Sequence, residues 1–294
     1  MIPTWLTDTV TSDLQRALHY TKLWGLQGVE LRTVGEANDR VPDVNEKQIR
    51  RHLDTSETLI ASCVPSVFEG PVSDRASWMN DLVQFEDTLQ FCGRVGCPRV
   101  VLSPFAAEPN PPFDAMADAI RRAGEKAAAY DTVLAVLHGP ETACPTGRAL
   151  AELLALVDHP NVQAAWDPAG AMRAGEDPAE GLGALVDRVS LVRCSDGRVR
   201  DGYWEDLPLG EGVVDWGEQL RRLAAHDFLG PISLEVYVEP RPEAGLRAAT
   251  TLIHMLRDGR ERTDRRNPPT RAPSRPLPRN NETPLFSVRC GRLD

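Results

Sequence analysis

Residues 1–258 are predicted to fold as one (β/α)8 barrel, on three observations. Short β-rich runs alternate with helical patterns eight times over that length, the count and size of such a barrel. Two of those runs end on a carboxylate, Asp167 after Asn161–Trp166 and Glu235 after Gly230–Leu234. Parallel α/β barrels place their chemistry at that C-terminal edge, because all the following loops share one face. Finally, no G-x-G-x-x-G turn opens the chain, as a doubly wound dinucleotide-binding sheet would need.

The elements follow in order. Ile2 to Val10 is the first strand, and Ser12 caps a helix running to Leu23. Gly28-Val-Glu-Leu-Arg32 is strand two, Asn45 to Thr58 a polar helix, and Leu59 to Val64 strand three. Trp78 to Val95 carries Leu82, Phe85, Leu89 and Val95 at helical spacing, and Gly96-Cys-Pro introduces strand four, Arg99 to Ser103. A helix from Phe113 to Tyr130 precedes strand five, Thr132 to Leu137; Thr146 caps the next helix, ending near Asp158. Strand six is Asn161 to Trp166, and Pro178 starts a helix to Leu185. Strand seven is Val189 to Cys194, followed by a long loop, a helix over Trp216 to His226, strand eight and a closing helix from Glu243 to Arg257. Gly259 to Asp294 then holds six Pro and nine Arg, which cannot build a packed core and is expected to be a disordered tail.

Composition narrows the function classes. A hydrophobic fraction of 41% supports a sizeable core, and no apolar run approaches a membrane span. The start, Met1-Ile-Pro-Thr-Trp, lacks a secretory pattern, and six scattered cysteines read as reduced thiols, so the cytoplasm is the expected compartment. Cys92 and Cys97 have no second pair, which favours core packing over a metal knuckle. Of the net charge of −10, the tail contributes +5 (nine Arg, four acidic residues), leaving −15 on residues 1–258. A body that acidic repels nucleic-acid backbones.

Four ordered segments point to one family: Gly28-Val-Glu30-Leu-Arg32, Asn161-Val…Trp166-Asp167-Pro, Leu209-Gly210-Glu-Gly212-Val-Val-Asp215-Trp and Gly230-Pro-Ile-Ser-Leu-Glu235. Together they resemble the sugar phosphate isomerase/epimerase family, the xylose isomerase-like TIM barrels, over residues 1–258. The resemblance implies a divalent ion (Mn, Mg, Co or Zn) at the C-terminal mouth, held by Glu, Asp, His and Glu from the ends of strands five to eight. It also implies that the two glutamates shuttle the proton of a sugar carbon. Carried onto this chain, the strand-six Asp is Asp167 and the strand-eight Glu is Glu235. The other two positions fall on Leu137, in Val136-Leu-His-Gly139, and Arg193, in Leu191-Val-Arg-Cys-Ser-Asp196. A histidine that often follows the strand-six Asp falls at Gly170.

That departure shapes the expected site. Two carboxylates alone hold a divalent ion poorly, whereas Arg193 carries a permanent charge and five donors. A cluster in which Arg193 sits between Asp167 and Glu235, replacing the metal, is therefore expected; without the family ion, no cofactor is needed. Glu235 and Arg193 are the catalytic candidates. Glu30 and Arg32 share one strand face, either orienting substrate or pairing with each other inside the barrel. His138 should point opposite to Leu137 unless a bulge or early strand end reverses it. Asp196 either binds substrate hydroxyls or forms a turn before Gly197, the turn being favoured. Trp5 and Trp204 are candidates for the pocket wall, while Trp166 should face the helices. The resulting expectation is a protein that isomerises or epimerises a small sugar, keto-sugar or polyol, or else binds a polyhydroxy ligand without catalysis; related barrels often form homo-oligomers. An endonuclease of the same fold would need strand-end histidines and a basic surface, and both are missing.

Overall fold

The computed structural model describes residues 1–35 and 39–266, with side chains as far as 258. Eight strands form the barrel: β1 (Ile2–Leu6), β2 (Gly28–Leu31), β3 (Leu59–Cys63), β4 (Arg99–Leu102), β5 (Val133–Leu137), β6 (Val162–Trp166), β7 (Val189–Cys194) and β8 (Pro231–Leu234). All neighbours pair in parallel, and β8 closes against β1. The helices are α1 (Leu14–Leu23), α2 (Glu46–Asp54), α3 (Arg75–Val95), α4 (Phe113–Ala128), α5 (Gly147–Val157), α6 (Pro168–Arg173), α7 (Pro178–Leu185), α8 (Trp216–Ala225) and α9 (Arg241–Arg266). No described helix is long and apolar enough to cross a membrane.

The expected rhythm is present, with local differences. Asp13, not Ser12, caps α1: its carboxylate accepts the Arg16 N–H at 3.0 Å, as an N-cap must to satisfy an orphan donor. β1 stops at Leu6, where a short 3-10 turn begins. The loop expected after strand seven is largely an antiparallel hairpin, Asp196–Arg200 with Tyr203–Leu207. Its tip is Asp201-Gly202, both at positive φ (51° and 84°), the backbone that a two-residue hairpin turn demands. α9 runs to Arg266, past the boundary expected at 258, and the remainder of the Pro/Arg-rich segment lies outside the described residues.

Two cores result from period-two alternation along the strands. Outward side chains such as Val100, Val136, Trp166 and Val192 are fully buried against the helices in the main core. Inward ones, Val101, Ala135, Ala165 and Leu191, form a small apolar plug in the lumen, with Val64 and Leu137 packed on it. A buried polar layer of Glu30, Ser62, Arg193 and Ser233 shares the barrel. Between β2 and β3 the register skips, with Val29 opposite Ile60 but Glu30 opposite Ser62, so Ala61 is the extra residue of a bulge.

Candidate functional site

Register brings the polar residues together. Ser233 lies opposite Arg193 on neighbouring strands, and Glu235 lies two residues beyond Ser233, on the same side. Glu30 reaches this group from the end of β2. Arg193 Nη1 donates to Glu30 Oε2 at 2.7 Å and stands 3.5 Å from Glu235 Oε1. Ser233 Oγ donates to the same Glu30 oxygen at 2.7 Å. Both members of the Arg193–Glu30 pair are almost completely buried (2% and 0% exposed), whereas the Glu235 side chain keeps 12% exposure toward the mouth.

The expected cluster is therefore corrected in one respect. Arg193 pairs with Glu30 and Glu235 rather than bridging Asp167 and Glu235. Asp167 instead takes Arg173 of α6, at 3.4 Å. Asp167 projects beneath the start of α6, and a Cβ at Gly170 would collide with its carboxylate, so the glycine keeps that carboxylate in place. Burial pushes the carboxyls of Glu30, Asp167 and Glu235 all above the usual range; Arg193 opposes the shift in each, without cancelling it.

Leu137 faces inward onto the lumen plug. His138 points the other way: its ring tilts against Trp166 at 4.9 Å, and Nε2 accepts the Asp167 backbone N–H at 3.2 Å. Burial lowers its pKa to about 4, so at neutral pH it is an uncharged brace for Asp167, with the proton on Nδ1.

The remaining candidates separate. Arg32 is bound through two nitrogens to Asp8, at 2.8 and 3.0 Å, so the pair expected with Glu30 is not formed. Trp5 is wholly buried on the helix side, donating to Thr21 Oγ1 at 2.8 Å with its ring tilted against Trp24 at 4.8 Å, and so walls no pocket. Trp204 sits on the hairpin over Gly197, bonded to Asp206 at 3.0 Å. Asp196 is a structural hub: its carboxylate accepts the N–H groups of Gly197, Gly210, Gly212 and Val214 at 2.9–3.2 Å. The turn reading of Asp196 thus extends to the whole Gly210-Glu-Gly212 loop. Asp196→Ala strands those donors and is expected to cost about 2–3 kcal/mol in urea unfolding.

Sequence reasoning overlooked Asp8, Arg173, Ser233 and Tyr237. Tyr237 borders, with Cys194, Leu207, Glu235 and Ala248, a recess between the hairpin and α9. Ser233 had a signal, lying two residues before Glu235 on the same strand face; Arg173 had none, because α6 itself was not foreseen.

A family model described as xylose isomerase-like TIM barrel matches residues 18–257. Among curated proteins, nothing matches in sequence. Three similar solved structures are the IOLI protein with a bound zinc atom (18% identity, 88% of this chain and 96% of that one, TM-score 0.71), L-ribulose 3-epimerase (13%, 94% and 99%, 0.73) and a D-tagatose 3-epimerase-like protein (18%, 90% and 100%, 0.74). At these identities the likeness shows a shared fold.

Proposed function

The chain belongs to the xylose isomerase-like TIM barrel family, and from that premise we propose that it acts on a small sugar, keto-sugar or polyol at the barrel mouth by moving a proton next to a carbonyl. Glu235 is the base, and Arg193 takes the electrostatic role that a divalent ion would have. The observation carrying this reading is the buried Arg193–Glu30–Glu235 cluster. The presence of sugar epimerases among the structural neighbours supports the substrate class.

The residues present do not fit the ion that the family implies. Leu137 offers no donor atom, and Arg193 brings a second cation to the place where an ion would need the Glu235 carboxylate. Among the described residues, Cys63, Cys92 and Cys97 are the only set of three or more His, Cys, Asp or Glu whose ligand atoms converge, and they are not at the mouth. Asp167 and Glu235 alone give too few hard ligands for Mg²⁺ or Mn²⁺. Titration calorimetry with Mn²⁺ is expected to show no stoichiometric site that Asp167→Asn removes; a tight site of that kind would overturn the replacement.

The chain's own residues can then be assigned. Glu235 is partly exposed, and burial raises its carboxyl, which suits a base working near neutrality. Arg193 Nε is buried with no protein acceptor, which leaves a donor for an oxygen that gains charge as the proton departs. Asp167 Oδ1 is likewise buried without a partner; buried polar atoms are nearly always paired, which supports a polyhydroxy ligand there. With Leu137 facing the lumen, one side of the site has no carboxylate. A single base fits proton transfer between adjacent carbons on one face, which is isomerisation, better than inversion of a centre, which needs a second base. The second reading is a silent barrel that binds the same class of ligand, and Leu137 is the observation favouring it.

A further inference from the structure

Away from the mouth, three thiols converge. Cys63 ends β3, Cys92 lies in the last turns of α3, and Cys97 follows it; their Sγ atoms all lie within 4.8 Å of one another, and the residues are 0%, 0% and 3% exposed. The local fold explains the meeting. Gly96 ends α3 in the left-handed region (φ 69°), and the Cys97 N–H turns back to the Cys92 carbonyl at 2.9 Å. That is the bond closing a Schellman-type helix end, and it brings two cysteines separated by four residues to one spot. The third comes from the strand beneath, a proximity that sequence spacing alone conceals.

A second observation concerns charge. Arg99, half-buried at the start of β4, makes no ion pair with a described carboxylate; its Nε has no acceptor, and Nη1 donates to the Ala61 carbonyl at the β3 bulge, at 3.2 Å. The Cys97 thiol itself donates to the Arg99 carbonyl at 3.1 Å. The Arg99 guanidinium interacts electrostatically with Cys97 as well as with the Glu30 carboxylate, and so offers positive charge to anionic sulfur at Cys97.

We propose that Cys63, Cys92 and Cys97 form a three-coordinate site for a thiophilic monovalent ion, Cu(I), with Arg99 offsetting the charge of the thiolates. Thiolate is the metal-binding form of cysteine, and soft sulfur ligands select Cu(I) over hard ions. A structural zinc site wants four ligands, and no fourth His, Cys, Asp or Glu joins this set among the described residues; a trigonal Cu(I) centre needs none. Binding is ligand exchange only: each thiol that becomes a ligand releases its proton and no electron moves.

The test uses the full-length protein, reduced and then titrated with Cu(I) held by a chromogenic chelator under anaerobic conditions. One equivalent should pass from the chelator to the protein, with a thiolate-to-copper charge-transfer band in the ultraviolet. Cys97→Ser and, separately, Cys92→Ser should weaken retention on the order of 100-fold while circular dichroism stays native. Cys144→Ser, which removes a buried thiol outside the cluster, should change nothing. Retention unaffected by Cys97→Ser and Cys92→Ser, no transfer to the wild-type protein, or a preference for one equivalent of Zn²⁺ over Cu(I) would each overturn the assignment. Should either variant misfold, the charge-transfer band of the wild-type protein still decides the matter.

Discussion

Arg193→Met is expected to cost about 3–5 kcal/mol of stability, because it leaves a fully buried carboxylate without its cation. Glu30 is 0% exposed, and burial already holds its carboxyl above the usual range with the guanidinium at 2.7 Å. Without Arg193 the lowering influence of the guanidinium is gone and that carboxyl rises further. The cost is then that of holding a buried carboxyl without its counter-charge, together with the lost hydrogen bond. The sign of the pH dependence follows. A carboxyl whose folded pKa lies above its unfolded one favours the folded state as pH falls, and this contribution is lost as pH rises through the folded value. The Arg193→Met deficit should therefore shrink on acidification toward the ordinary carboxylate range. Urea unfolding of Arg193→Met and Arg193→Met/Glu30→Gln measures this directly. The double variant should recover most of the loss, since an amide can still accept from Ser233. A double variant as unstable as the single one would show that Arg193 matters through packing and not through Glu30.

Glu235→Gln should lower solvent-deuterium incorporation into the sugar about 10²–10⁴-fold, the usual contribution of a positioned general base. Incubation with keto- and aldo-sugars in D₂O reads the exchange, and the amide should leave the melting temperature close to wild type because Glu235 is at the partly exposed end of the cluster. In the wild-type protein only ionised Glu235 accepts a proton. Burial raises that carboxyl, so exchange should climb with pH through a midpoint above the normal carboxylate range and then level off. Wild-type protein that binds sugar yet incorporates no deuterium would replace catalysis by the silent-barrel reading.

The barrel was readable because its eight strands are short, apolar and separated by capped helices. Thr146 and Pro178 mark helix starts where the structure has them, with Thr146 Oγ1 accepting the Ala149 N–H at 3.1 Å. The hairpin tip carries its own signal, since Asp201-Gly202 sits between Val199 and Trp204 in a turn-forming pattern, although a long loop is what the surrounding polar residues suggest. The site was harder for a physical reason. Period-two alternation placed Leu137 inward and His138 outward, yet it cannot say which residue across a lumen meets which. Glu30 and Arg193 lie 163 positions apart and touch only because β2 and β7 face each other within a closed barrel. Arg32 illustrates the same limit: its spacing from Glu30 suggested a pair, and Asp8 of the turn after β1 took it instead.

A charge carried on a side chain differs from one supplied by solution. Arg193 enters the barrel with the polypeptide and stays protonated at every pH at which the protein folds. Under the proposed replacement of the ion by Arg193, the mouth would need no loading step after synthesis, and a chelator is expected to leave its chemistry unchanged.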